Sequence, residues 1–243
     1  MSRTNRIYRR IATVQICSML FLAPQSVAQT CTEGTNQPPR FIVSGSYVAF
    51  PKYGTRAWFG GQWVTMDSSG VRYVYCDAGP SGQSLYCPTN GGGDYGFTGT
   101  QKSAMNTGFA NWTSAKTANG SNLSFTQVTT SVYGLSPFAI EIRRMLDVTM
   151  GTAAARVITS GWASMDYNND GTHDEYRIVD AIIEVAYSTS LMTEMMVHEV
   201  GHVMGLENCA GCNSTTIMKV PLLSGNPQAP SACDTTQVLT MFP

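Results

Sequence analysis

The sequence predicts a single α+β domain, and three observations carry that reading. A strand segment, a long helix, about three further strands, a second helix and a short C-terminal helix follow one another with no internal repeat. The 243 residues are 43% hydrophobic, enough for one substantial core and too few for two. Charged residues make up only 13%, and no long charge run marks a tail or a nucleic-acid arm.

The chain opens with export features. Arg3, Arg6, Arg9 and Arg10 form a positive region, and Ile11 to Ala23 is mostly apolar but too short to span a membrane. Ser26-Val27-Ala28 is a small-residue cleavage site, so residues 1–28 are expected to be a signal peptide and the mature chain to start at Gln29. The protein is then secreted, to a periplasm or outside the cell. Cleavage removes four arginines and no acidic residue, taking the net charge from −1 to −5. A mildly acidic surface argues against nucleic acid or an anionic membrane as a partner.

Residues 29–69 read as an N-terminal lead-in, irregular over 29–40 and with strand composition from Phe41 to Phe50. Residues 70–243 read as the main domain. Val71–Tyr75 has strand composition. The Gly-, Pro- and Ser-rich stretch after it ends in Gly91-Gly92-Gly93-Asp94; it is a loop and no phosphate cradle, because no Gly-Lys-Ser/Thr follows. Thr98 to about Lys116 is predicted helical, since Met105, Phe109 and Trp112 share one face. Asn119-Gly120 turns the chain into strands expected at Leu123–Val128, Phe138–Met145, Ala153–Ile158 and within Tyr176–Tyr187. Ser190 is expected to cap a helix over Leu191–Met204, which Gly205 ends as a left-handed residue. Asp234 is expected to cap a last short helix carrying Val238, Leu239 and Phe242.

Cys17 leaves with the signal peptide, so the mature chain keeps Cys31, Cys76, Cys87, Cys209, Cys212 and Cys233. An even set in an exported chain predicts structural disulfides, with the pairing left open. Cys76 with Cys87 would staple a hairpin-like loop.

The chemistry concentrates in His198-Glu199-Val200-Gly201-His202-Val203-Met204-Gly205-Leu206-Glu207-Asn208, which holds two of the chain's three histidines. Residues four apart lie on one helix face, so both imidazoles can reach one zinc ion. Glu199 is then placed to act as base on a zinc-bound water. A catalytic zinc needs about three protein ligands and an open position. Asn208 stands where the third is expected, and a neutral amide oxygen is a poorer ligand than imidazole or carboxylate. Three alternatives stay open: Asn208 ligates weakly, Glu207 or Cys209 substitutes for it, or the site is degenerate. His173 is a further candidate ligand in a different loop.

A second metal motif is Asp166-Tyr167-Asn168-Asn169-Asp170-Gly171, the first half of a calcium loop. Asp166, Asn168 and Asp170 are the candidate calcium ligands. Arg177 occupies the position where such a loop ends in glutamate, and the alternative is a polar Asx-rich turn. Asn111-Trp112-Thr113, Asn122-Leu123-Ser124 and Asn213-Ser214-Thr215 match the glycosylation pattern and are read as chance matches.

His198-Glu199-x-x-His202-x-x-Gly205, followed by Thr216-Ile217-Met218, resembles the metzincin zinc endopeptidases, with the matrixin-like secreted enzymes the nearest branch. The motif covers residues 198–218; upstream the likeness rests on element order. The resemblance implies a twisted mixed sheet with two main helices, the second carrying the motif, then a methionine turn and a C-terminal helix. It implies His198 and His202 as zinc ligands, Glu199 as catalytic base and Met218 as the methionine beneath the metal. It departs from the family at Asn208, where His or Asp is usual. It further implies that Val220 to Leu223 wall a specificity pocket, that substrate lies extended along a sheet edge such as Ala153–Ile158, and that calcium is a common structural ion. The expected partner is a protein or peptide substrate, the expected state a monomer, with no nucleic acid and no membrane after cleavage of the signal. The competing classes are a non-catalytic secreted binding module on the same fold and a disulfide-rich domain without metal.

Overall fold

The computed structural model describes residues 56–59, 61–65, 70–76, 96–118, 124–128, 139–166, 168–173, 175–209 and 216–239. The expected signal peptide, the Phe41–Phe50 strand, Cys31, Cys87 and Cys212 lie outside these residues. No helix among them is long and apolar enough to cross a membrane.

The fold is α+β, a mixed seven-stranded sheet carrying helices on one face. In chain order the strands are β1 (Arg56–Phe59), β2 (Gln62–Thr65), β3 (Val71–Tyr75), β4 (Phe125–Gln127), β5 (Ala139–Met145), β6 (Ala155–Asp166) and β7 (Glu175–Ala186). They lie in the order β2-β1-β6-β7-β5-β3-β4. The half from β7 to β4 is parallel; β6 and the β1–β2 hairpin run antiparallel.

Two strands were not expected. β1 and β2 fall inside the 29–69 lead-in and join the sheet through β6. Gly60-Gly61 between two aromatic segments was the available signal, since a two-glycine link suits a tight hairpin turn, and Gly61 has φ +83°.

Helix α1 (Gly99–Ala118) runs where the apolar spacing placed it. A capping box starts it: Gln101 N–H donates to Thr98 Oγ1 and Thr98 N–H to Gln101 Oε1. Met105, Phe109 and Trp112 are all buried, and Phe109 stacks on Tyr73 of β3 at 3.9 Å between ring centres. Three short segments follow, β4, β5 and the single turn α2 (Asp147–Met150), before the long β6–β7 hairpin.

Helix α3 (Met192–Val203) carries the histidine motif. It begins one residue later than expected and Ser190 does not cap it; Leu191 occupies the cap with no side-chain bond. Tertiary packing replaces the cap. Every residue of α3 from Met195 to Val203 is buried. Against α1 the approach is close at Gly108, where an added Cβ would sit 3.0 Å from Met196 Cβ. Trp112 Nε1 donates to the Val197 carbonyl at 2.8 Å. The last helix, α4 (Ala232–Leu239), is capped by Ser231, with Asp234 its reciprocal partner three residues on rather than the cap itself.

The sheet's two faces differ. Residues such as Tyr73, Ile140, Ile142, Ile183 and Val185 point to the helices and form the core. The intervening residues on the other face include Glu141, Arg143, Glu184 and Asp180. Glu141 pairs with Arg143, and Arg156 Nε donates to Glu184 at 2.6 Å. Among the described residues Asp180 pairs with no cation; burial pushes its carboxyl up to about 7 against one bond from the Ala139 amide.

That carboxyl yields a prediction. The unfolded chain ionises Asp180 near pH 4, whereas the fold resists ionisation until about 7. Stability is therefore lost as pH rises through this window, by at most about 4 kcal/mol at about 1.4 kcal/mol per unit. Asp180→Asn removes this slope, so thermal melts should show the variant gaining on the wild type between about pH 4 and 7. A pH-independent difference would refute the burial of this carboxyl.

Candidate metal centre

The geometry of the motif starts at the end of α3. Gly205, with φ +89°, closes the helix: its N–H donates to His202 O, and Leu206 N–H donates to Gly201 O, each at 2.9 Å. This is the double bond pattern of a glycine-terminated helix, and it reverses the chain within two residues. Cys209 then bridges to the segment around Lys219, with Cys209 N–H donating to Met218 O at 2.8 Å. Helix end, Asn208 and Met218 are thereby tied into one knot.

Inside the knot both imidazoles are pinned by backbone carbonyls. His198 Nδ1 lies 2.7 Å from Ile217 O, and His202 Nδ1 lies 2.7 Å from Leu206 O. A carbonyl only accepts, so each Nδ1 carries the proton and each Nε2 keeps its lone pair. The rings are 4.8 Å apart between centres and nearly perpendicular. Burial keeps both neutral: it lowers the His198 pKa against the Ile217 carbonyl, Asn208 and the Asp234 charge, and it pulls His202, beside His198, down to about 4.

Asn208 meets this pair. Its Oδ1 sits 3.0 Å from His198 Nε2, and its side chain is within hydrogen-bonding reach of His202. With the amide so oriented, an oxygen lone pair faces a nitrogen lone pair and no proton lies between them. Such a gathering of acceptors is unfavourable alone and suits a cation. Among the described residues no three His, Cys, Asp or Glu side chains gather around a metal position; two imidazoles and an amide do. Of the alternatives for the third donor, Cys209 is disulfide-bonded and has no thiolate to offer. Glu207 is half-buried in the same turn, but Asn208 is the side chain that meets the rings.

Glu199 is 4% exposed, and its Oε2 is buried with no hydrogen-bond partner. Burial alone pushes its carboxyl up to about 8. An orphaned buried carboxylate oxygen beside two neutral imidazoles is a second mark of a missing cation or substrate. His198, Glu199, His202 and Asn208 line a cleft of about 430 Å³. Ala153 to Val157 form one wall, and Val220, Pro221 and Leu222 the other. Beneath the histidines Met218 is fully buried against Gly201, so close that an added Cβ there would strike its Sδ.

Other candidates lie elsewhere. His173 packs against Trp63 and Trp58, at 5.1 and 6.1 Å between ring centres, at the far end of β6. Asp166, Asn168 and Asp170 build a turn in the β6–β7 connection. The buried Asp166 carboxylate pairs with Arg56 and accepts the backbone N–H groups of Asp170 and Gly171. Asn168 Nδ2 donates to Asp170 Oδ2, and Asp170 Oδ1 accepts from Thr172. These oxygens close an Asx-type turn around an arginine. Asn111 Nδ2 donates to Gln228 O at 2.6 Å, so the nitrogen of that sequon is in use. Cys76, like Cys209, is disulfide-bonded.

Sequence reasoning missed the carbonyls of Ile217 and Leu206, because any residue can supply a carbonyl. It also missed Asp234 as a buried acceptor for Thr216 and Ile217. The Ser231-x-x-Asp234 spacing was a usable signal for the capping box, though not for the reach across the fold.

No known family matches the chain by sequence, and no curated protein does. Among solved structures, metalloproteinase-II from Bacteroides fragilis is similar at 12% identity and a TM-score of 0.42, over 72% of this chain and 53% of that one. The chain thus spans about half the length of that protein.

Gly201 offers a direct test. Gly201→Ala would collide with Met218 Sδ, an overpacking worth about 1–3 kcal/mol. Its melting temperature should fall. An unchanged melt would mean that Met218 does not lie beneath α3.

Proposed function

We propose that the protein is an exported zinc-dependent endopeptidase. One observation supports this most: two neutral imidazoles with pinned Nδ1 protons, His198 turning its Nε2 toward Asn208 Oδ1, stand beside a buried glutamate with an unpaired oxygen. In this reading His198, His202 and Asn208 hold zinc. The metzincin resemblance agrees with the order of sheet, motif helix, methionine turn and C-terminal helix. Bound zinc lowers the pKa of a water and polarises a peptide carbonyl.

The remaining work falls to the chain's own groups. Ala186 N–H donates to Ala154 O, so these residues form a hydrogen-bonded pair. Pairs alternate along antiparallel strands, so Ala155 and Val157 turn their N–H and C=O groups away from β7. β1 meets β6 only at Met165 and Asp166, and no other described strand covers that edge. An extended peptide can add there as a further strand, with its scissile bond above the motif. Val220, Pro221 and Leu222 offer an apolar wall for the side chain next to that bond. Glu199 takes a proton at Oε2 and delivers it to the leaving amine. Burial opposes its charged form, and a nearby dication favours it, which poises the group for both transfers.

The test is casein cleavage by protein starting at Gln29, supplied with zinc, with Glu199→Ala purified identically as the blank. Cleavage should fall by about 10²-fold or more in the variant and stop on chelation. Equal rates would sink the proposal and leave a binding module. In a separate titration Asn208→His should bind zinc more tightly, since imidazole is the better donor. Equal affinity would remove Asn208 from the ligand set.

A further inference from the structure

We infer that Asp234, on α4 and remote in sequence from the motif, is a positioning residue for the metal centre, acting through Thr216 and Ile217 on His198. The inference rests on the proposed zinc site and adds a control element to it. Asp234 is fully buried. Its Oδ1 accepts from the Thr216 hydroxyl, and its Oδ2 accepts from Ile217 N–H at 3.3 Å and from the Ser231 N–H and hydroxyl, each at 2.8 Å. Oδ2 takes three of these bonds and Oδ1 one, so the carboxylate is held through both oxygens. Two of the donors only cap α4. The other two belong to the strand of chain that carries the Ile217 carbonyl.

That carbonyl is the one holding His198 Nδ1 at 2.7 Å. Thr216 Oγ1, fixed by Asp234, accepts in turn from Met218 N–H at 3.1 Å, which sets the methionine under Gly201. The chain of bonds therefore runs from Asp234 to Thr216 and Ile217, and from there to the ring and to its floor. His202 is outside it, because its Nδ1 is held by Leu206 O within the helix end. This asymmetry separates positioning from general stabilisation. A loss confined to stability would affect both rings or neither; loss of this strut displaces His198 first.

The experiment uses the full mature chain and four variants: Asp234→Ala, Asp234→Asn, Thr216→Val and Ser231→Ala. Ser231→Ala weakens the α4 cap without touching residues 216–218, so it controls for stability. Two quantities are read: zinc affinity by competition with a chromophoric chelator, and the Nδ1–H signals of both imidazoles by NMR in metal-free protein. Asp234→Ala should weaken zinc about 10–100-fold, the usual scale for a group that orients a metal ligand. It should shift or broaden the His198 signal and leave the His202 signal in place. Asp234→Asn keeps an acceptor for Ile217 and should stay within about threefold of wild type. Ser231→Ala should melt lower with zinc affinity unchanged. If Asp234→Ala does not fold, Thr216→Val decides, with a smaller change in the same direction. Equal affinity and an unmoved His198 signal in Asp234→Ala, or in Thr216→Val, would overturn the inference. A wild type that binds no zinc would instead overturn the proposed function, and the NMR comparison would still judge Asp234.

Discussion

The bond from each imidazole Nδ1 to a backbone carbonyl is the constraint on which the rest of the site depends. It settles the tautomer, leaves each Nε2 its lone pair, and holds two rings apart at a fixed angle. Each carbonyl must itself be held. Leu206 is held by the glycine-terminated end of α3, a local device, whereas Ile217 is held by a segment that must be brought back from beyond residue 216. The bridge from Cys209 to Lys219 and the Asp234 carboxylate both serve that return. The metal centre is thus built half from one helix and half from contacts made late in the chain.

The sheet contributes placement. Tyr73, Ile140, Ile142, Ile183 and Val185 of its parallel half supply much of the apolar burial under the helices, and β6 packs against α3. The first residues of β6 therefore stand beside the motif with one edge uncovered by any described strand. Exposed strand edges are hazards that proteins usually blunt. Here the edge lies on the cleft wall, where pairing with a peptide is useful.

Burial sets the electrostatics. Both histidines and Glu199 sit in a low-dielectric pocket that favours neutral forms, so lone pairs are available and a carboxyl waits without a partner. The polar face of the sheet shows the other outcome of burial, with Glu141 and Glu184 matched to arginines. Asp180 on that face is also unpaired, so what marks Glu199 as part of a site is its place beside the two imidazoles on the cleft wall.

Local pattern sufficed for what depends on near neighbours. The apolar face of α1 was legible in Met105, Phe109 and Trp112, and four of the five expected described strands were found with short shifts, β6 being much longer than Ala153–Ile158. The shared face of His198 and His202, the glycine stop and the place of Met218 also follow from spacing along the chain. Tertiary structure decided the rest. The meeting of the Ile217 carbonyl with His198, the turn of Asn208 toward His198, the reach of Asp234 to Thr216 and Ile217, and the use of Asp166 as a partner for Arg56 are all long-range contacts. Each joins residues ten to over a hundred positions apart, and no local periodicity encodes such a meeting.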